Sequence, residues 1–371
     1  MNAEDYHHEL CAAARRGDHQ GISRLLPFSN PQDKSSLALR IAAEEGYAEC
    51  VRLLIPVSDP SAHMSQALQL AARGGHTECV KLLIPVCDPR ANSGKALDNA
   101  VLSQNIECVA ELLPVSDPND SQGFPLIKAA QQGNVRLLNM LLPLTHPKHY
   151  DTAFFWAGSE GHLECLTRLL AFCDPKSNGS GALRMAAEEG HIDCVKFLLP
   201  LSDPTAHNFY ALTEAAQNGN VECVKLIIPF ALEGARQGVA LPAAVRGENQ
   251  ECVEALLDLC QNTAQINEAV VWAADKGDER VLQLLLPRSD CEPTHKHKAL
   301  VAAVVNQHSA CAQLLHPLCS SSQVLKILTR DHSRTQNQWM PLWDQLERER
   351  QRKRLNKVVG RMGTTKIQRK I

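Results

Sequence analysis

The chain has 371 residues, 44% of them hydrophobic and 21% charged, and a formal net charge of −3 at pH 7. No apolar run reaches the length of about 18 residues that a membrane-spanning helix needs, so we expect no transmembrane segment. The opening MNAEDYHHEL is polar, so we expect no secretory signal peptide, and fourteen cysteines then favour a reducing, cytoplasmic setting in the protein's own cell or in a host cell.

One phrase recurs along the chain at an almost constant interval. It reads AECVRLLIPVSDP at 48–60, TECVKLLIPVCDP at 77–89 and IDCVKFLLP at 192–200. Eleven equivalent positions follow one another at steps of 29 residues, with one step of 28 and one of 30: Gly21, Cys50, Cys79, Cys108, Leu137, Cys165, Cys194, Cys223, Cys252, Val281 and Cys311. A constant period of this size predicts stacked supersecondary units, so we look for function on an extended surface.

Each unit is predicted to be a pair of short helices. In the stretch 181–204 the apolar spacing predicts a first helix over 182–189 and a second over 192–199. Gly190 ends the first helix, and Pro200 follows the second. Helices of this length are not stable alone, so we expect them to be buried against neighbouring units.

In chain order, residues 1–30 are predicted to form an N-terminal cap, and a one-residue deletion near 144–151 shifts the phase of the repeat. The loops at 233–238 and 261–265 depart from the repeated phrase and mark two degenerate units. We divide the chain into a repeat array at 1–319, a capping or linker segment at 320–345 and a basic tail at 346–371.

The basic tail carries most of the charge asymmetry. It contains ten Lys and Arg residues against Glu347 and Glu349, a net charge of +8, so the rest of the chain carries −11. Its candidate contact residues are Arg350, Arg352, Lys353 and Arg354. An acidic protein is one candidate partner for this tail, whereas nucleic acid is not favoured, because no aromatic residues interleave with the charges.

The repeated unit resembles the ankyrin repeat. The shared pattern is A-L-x-x-A-A-x-x-G-H-x-x-C-V-K-L-L, with Cys where that family usually has Val, and clear copies lie at 38–55, 67–84, 182–199 and 211–228. The period is shorter than the family's 33 or so residues, and the threonine-proline-leucine-histidine opening is missing. The resemblance implies an all-α ankyrin-type solenoid of about eleven helix-turn-helix repeats, with shortened connecting loops and a C-terminal basic extension.

Two residue types that recur in register have local explanations. The cysteines lie within apolar helical runs and are predicted to pack in the core, since free Cys is among the most buried residue types. The loop aspartates are predicted to cap their own turns. Their alignment in successive units also predicts an acidic stripe along one edge: Asp59, Asp88, Asp117, Asp174, Asp203 and Asp290.

The ankyrin resemblance also points to candidate partner-binding residues. In such arrays the second of two variable positions on each first helix tends to face the concave groove. Large side chains at this position are typical interface anchors, with Phe155 beside the first of them: Trp156, Met185, Glu214 and Trp272. The alternative is that Phe155 and Trp156 only fill space left by Gly158.

Two further tryptophans lie outside the array. Trp339 and Trp343 are four residues apart, a helical spacing, and we expect them to dock on the last repeat or on a partner.

No enzyme motif, cofactor or metal site is predicted. The chain lacks HExxH, G-x-S-x-G, a phosphate loop and a dinucleotide fingerprint. Cys291, His295 and His297 have a spacing that zinc ligands use, but Lys296 and Lys298 lie between and beside them and oppose cation binding.

The sequence therefore predicts a protein–protein interaction scaffold that binds a partner protein of unknown identity on the concave face. The alternatives are a nucleic-acid- or membrane-associated protein that acts through its basic tail, or an array that this tail autoinhibits.

Overall fold

The computed structural model describes residues 3–290, 293–319 and Arg348, and every regular element in these residues is helical. The chain forms two compact units. Of the residues that the structure describes, the first unit contains 3–186 with Lys196–Ser202, and the second contains Ala187–Val195 with those from Asp203 onward. Among the described residues, no helix combines the length and the apolar character that a membrane crossing requires.

The first unit is built from pairs of helices. In chain order these are α1 Ala3–Arg16, α2 His19–Leu25, α3 Asp33–Glu44, α4 Ala48–Leu54, α5 Ala62–Arg73, α6 Thr77–Leu83, α7 Ala91–Leu102, α8 Ile106–Leu112, α9 Phe124–Gln131, α10 Val135–Leu141, α11 Tyr150–Ser159 and α12 Leu163–Leu169. The boundary between the units passes through α13, Ser177–Glu188, and α14, Ile192–Leu198.

The second unit continues the same alternation with one additional helix, α17, between two pairs. Its helices are α15 Ala206–Gln217, α16 Val221–Ile227, α17 Leu232–Gln237, α18 Leu241–Arg246, α19 Gln250–Leu257, α20 Thr263–Lys276, α21 Glu279–Leu285, α22 Pro293–Val305 and α23 Ser309–Leu315. The predicted degenerate loops are thus largely helical: α17 covers most of 233–238, and α20 begins inside 261–265. The side chain of Asn262 accepts a hydrogen bond from the backbone N–H of Ala264 and caps α20.

The predicted pair of helices in each repeat is confirmed, with corrections to the helix bounds. The second helix of the 181–204 unit ends one residue earlier than predicted, at Leu198, and the first begins at Ser177 rather than at 182. Its opening turn is left-handed, because Asn178, Gly179 and Ser180 have φ between 51° and 58°. Periodicity does not detect such a turn, since non-glycine residues rarely adopt positive φ.

Stacking of like helices forms the core. Within the first unit α3 packs on α5 and α5 on α7, while α4 packs on α6 and α6 on α8. The first helices carry fully buried alanines such as Ala42 and Ala71, whose small side chains allow neighbouring helices to approach closely. The eight cysteines of the repeated phrase are at most 1% exposed, which confirms that they pack in the core.

Side-chain hydrogen bonds tie each of several repeats to the preceding one. Asn105 donates from Nδ2 to the carbonyl oxygen of Gly75 at 2.8 Å, and the Nε2 atom of His162 lies 3.0 Å from the carbonyl oxygen of Gln131. In the second unit, Asn249 donates to the carbonyl oxygen of Gln217 at 2.6 Å. These carbonyls lie at the ends of first helices, where no intrahelical donor remains. The contacts therefore satisfy helix ends and fix the spacing of the repeats.

Candidate protein-interaction surface

The four residues predicted at the second variable position of the first helix are all half-buried, and so is Phe155 beside the first of them. Phe155, Trp156 and Met185 lie in the first compact unit, and Glu214 and Trp272 lie in the second. The position is not exposed in every repeat, because Ile41 and Asn99 are buried at the same point of α3 and α7. Its exposure therefore depends on the individual residue and its neighbours.

The aromatic pair on α11 forms one wall of a groove in the first unit. The rings of Phe155 and Trp156 are perpendicular, at 86°, with centroids 5.6 Å apart. The groove has a volume of about 350 Å³ and lies between α11, the loop after Phe172 and the start of α13. A half-buried tryptophan beside a cavity of this size is a typical anchor point for a partner.

Two glycines determine how α11 lies against α13. A Cβ atom added to Gly181 would lie 2.9 Å from Cδ2 of Phe155, so this ring packs where only glycine leaves room. A Cβ added to Gly158 would lie 2.9 Å from Cβ of Ala182. The atoms nearest to this position all belong to Ala182, so α13 packs directly against Gly158.

Two carboxylates line the same groove. Asp151 accepts a hydrogen bond from the hydroxyl of Ser177 at 2.9 Å, and Asp174 accepts one from the backbone N–H of Lys176 at 2.9 Å. Burial, with a smaller contribution from Asp151, raises the pKa of the Cys173 thiol to about 12. The groove thus combines an aromatic wall with two acidic groups.

In the second unit, Trp272 on α20 already has a cationic neighbour. The guanidinium carbon of Arg246, on α18, lies 5.4 Å from the centroid of the indole, which is a cation–π contact. The indole at this repeat position therefore accepts a guanidinium group in this protein.

The loop aspartates cap their turns, as predicted. Asp59, Asp88 and Asp203 each accept a hydrogen bond from the backbone N–H two residues later, at 2.9 to 3.0 Å. Asp117 and Asp174 do the same. Asp290 accepts from Nδ2 of Asn267, and the residue two positions after it lies outside the described part of the chain. The local role of five of these six carboxylates is therefore confirmed.

An exposed apolar row was missed by the sequence analysis. An apolar residue ends the Leu-Pro-x or Ile-Pro-x turn that follows each of five successive second helices, and Phe172 occupies the same position after α12, where alanine replaces the proline. These residues are between 37% and 62% exposed: Phe28, Val57, Val86, Val115, Leu144 and Phe172. The signal in the sequence is the apolar residue that follows the proline of the repeated phrase. Six such residues in consecutive repeats are more than the scattered apolar groups of an ordinary surface.

Several predicted site residues lie outside the described part of the chain. These are Trp339, Trp343, Arg350, Arg352, Lys353 and Arg354, together with Cys291 of the candidate zinc motif and the whole of the 320–345 boundary segment. Within the described residues, no three His, Cys, Asp or Glu side chains come together as metal ligands would.

Comparison with known families agrees with the helical pairs. Residues 58–122 and 126–208 match the family model for ankyrin repeats, with three copies. The chain therefore contains ankyrin repeats, and the predicted fold class, a helical repeat solenoid of this type, is confirmed. Repeats of this kind are generally protein–protein interaction modules and are typically not enzymes. No curated protein matches the chain.

Proposed function

We propose that this protein binds a partner protein on the groove face of its first helices, with Trp156 as the principal contact. The observation that supports this is the half-buried Trp156 and Phe155 pair at the wall of a 350 Å³ groove. Stacked helices hold the groove in place before binding, so little conformational entropy is lost on association. Met185, Glu214 and Trp272, at the same repeat position, are proposed as further contacts.

The first test replaces the anchor. Trp156→Ala should reduce capture of the partner from a cell lysate at least tenfold, the range expected for loss of a central aromatic contact. Phe230→Ala is the matched control, because Phe230 is an aromatic residue 51% exposed and outside the groove. Equal capture by both variants and the parent protein would show that the groove is not the binding site.

A photo-crosslinking experiment locates the contact directly. Benzoylphenylalanine at Thr152, an exposed residue that lines the groove, should crosslink the partner. The same group at Glu78, exposed on α6, is the control position. Crosslinking only from Glu78 would place the partner on the second helices instead.

The basic tail supports a second candidate function, autoinhibition of the array. The tail carries a net charge of +8 and the rest of the chain carries −11, so we expect long-range attraction between the two at low salt. Deletion of 346–371 should then raise partner affinity, and the gain should shrink as salt is added. A tail that binds nucleic acid or a membrane predicts instead that deletion abolishes that binding without any change in partner affinity.

A further inference from the structure

The chemistry of the groove indicates what kind of side chain it accepts. Its lining contains the aromatic side chains of Phe154, Phe155 and Trp156, all on α11, and the carboxylates of Asp151 and Asp174, with no Lys or Arg among the lining residues. A side chain that enters must therefore offer an apolar stem to the rings and a positive charge to the carboxylates. Lys and Arg side chains have both parts.

The second unit shows this interaction within the chain itself. Arg246 lies over the indole of Trp272. Arg246 belongs to the preceding repeat, where it comes three residues after the second variable position. The equivalent residue before Trp156 is Gln131 on α9, which is uncharged. Its amide is engaged elsewhere, donating to Oε1 of Glu160 at 3.1 Å and accepting from Nζ of Lys128 at 3.0 Å. No equivalent internal guanidinium is therefore available to the Trp156 indole from that position.

Arg184 is a cation near the edge of the groove that is already bound to the protein. Nη2 of Arg184, on α13, donates to the carbonyl oxygen of Asn178 at 3.1 Å. Asn178 lines the groove, whereas Arg184 does not. The acidic groups of the groove are engaged by hydrogen-bond donors that carry no positive charge: Asp151 by the hydroxyl of Ser177 and the thiol of Cys173, and Asp174 by the backbone N–H of Lys176.

We propose that the groove is a recognition site for an arginine or lysine side chain of the partner, with arginine preferred. The stem packs on Phe155, the cationic head faces the Trp156 indole, and Asp151 and Asp174 balance its charge. An acidic side chain is rejected by like charge, and an uncharged apolar one gains no compensation for the two carboxylates that it covers. This inference rests on the proposed function, because it names the chemistry of the partner at the same groove.

The test uses the full-length protein and simple probes. The indole N–H resonance of Trp156, assigned with a Trp156→Phe variant, is followed by NMR during titration with N-acetyl-arginine amide. N-acetyl-norleucine amide supplies the apolar stem without the charge. We expect saturable shifts with the arginine probe, and an affinity about fivefold weaker or worse for norleucine, since a cation–π contact of ordinary strength is then absent.

Substitutions that remove the negative charge but keep the side-chain shape test whether the two carboxylates contribute to binding. Asp151→Asn and Asp174→Asn keep the oxygen that accepts each local hydrogen bond, and each should weaken arginine binding about threefold or more without changing norleucine binding. Asp88→Asn is the matched control, because Asp88 caps the equivalent turn three repeats before Asp174. Equal binding of arginine and norleucine, or identical affinities in all three variants, would overturn the proposal.

Failure of this inference is distinguishable from failure of the proposed function. Crosslinking from Thr152 without arginine binding would retain the groove as the partner site and reject cation recognition. Arginine binding without crosslinking would retain the chemistry of the groove and reject it as the partner site.

Discussion

The imidazole of His76 occupies the space that a side chain at Gly46 would require. A Cβ atom on Gly46 would lie 2.6 Å from Cε1 of His76, and the Nε2 atom of His76 lies 2.9 Å from the carbonyl oxygen of Glu44. Gly46 has φ of +80°, a left-handed conformation that few other residues adopt. One glycine thus ends a helix and admits the side chain that joins two repeats.

Replacement of Gly46 by alanine should destabilise the protein by about 2 kcal/mol or more, because the methyl group is strained at this φ and displaces His76. Urea unfolding followed by circular dichroism measures the loss. The converse experiment uses Gln104, which is exposed and has φ of 55° at the equivalent position. Gln104→Gly should stabilise the protein by up to about 1 kcal/mol, and a loss of stability there would contradict the argument from strain.

The hydrogen bonds of Asn105 make it a link between repeats. Its Nδ2 donates to the carbonyl oxygen of Gly75, and its Oδ1 accepts from the backbone N–H of Cys108 at 2.9 Å. Asn105→Ala removes both bonds and should cost about 2 kcal/mol. Asn105→Asp keeps the cap but loses the donor, so its cost should be intermediate. An Asn105→Asp variant as stable as the parent protein in thermal unfolding would show that the bond to Gly75 contributes nothing, and equal costs for the two variants would show that the cap contributes nothing.

The buried thiols predict a loss of stability in alkali. Burial is the main cause that raises the pKa of six of them to about 11: Cys79, Cys165, Cys194, Cys223, Cys252 and Cys311. At a pH between the ordinary thiol pKa and the raised one, these thiols are ionised in the unfolded chain but remain neutral in the folded protein. The free energy of unfolding should therefore fall as the pH rises above about 9, by roughly 1 kcal/mol per thiol at pH 10.

Urea midpoints measured from pH 7 to 10 test this prediction. Cys79→Val is the control, because valine fits an apolar site and does not ionise, so its pH dependence should be shallower than that of the parent protein. A pH profile unchanged by this substitution would contradict the assignment to the thiols.

The two glycines between α11 and α13 separate binding from stability. Gly181→Ala presses on two side chains that line the groove, Phe155 and Asn178, so we expect reduced partner binding with a stability loss below about 1 kcal/mol. Gly158→Ala places its methyl group 2.9 Å from the backbone oxygen of Ala182, which costs about 2 kcal/mol of stability. Capture assays and urea unfolding of both variants measure the two effects. Normal binding by Gly181→Ala would show that the position of Phe155 does not matter to the partner.

The sequence by itself determined the repeating pair of helices, the glycine that ends the first helix and the burial of the repeated cysteines. Each of these features depends on residues within a single repeat, because the spacing of apolar residues and the conformational freedom of glycine determine local structure. The turn-capping role of aspartates such as Asp88 was predictable for the same reason, since donor and acceptor are two residues apart. The position of the Trp156 pair was predicted only through the ankyrin resemblance.

Only the tertiary structure decided which residues of neighbouring repeats contact one another. His76 lies against Gly46, and Phe155 against Gly181, although 30 and 26 residues separate the members of these pairs. Contacts over such distances depend on how far each helix is rotated and shifted against the next, which periodicity leaves open. The left-handed turn at 178–180 was missed because no pattern of apolar residues marks it in the sequence. The groove is formed by that turn, the loop before it and α11 together.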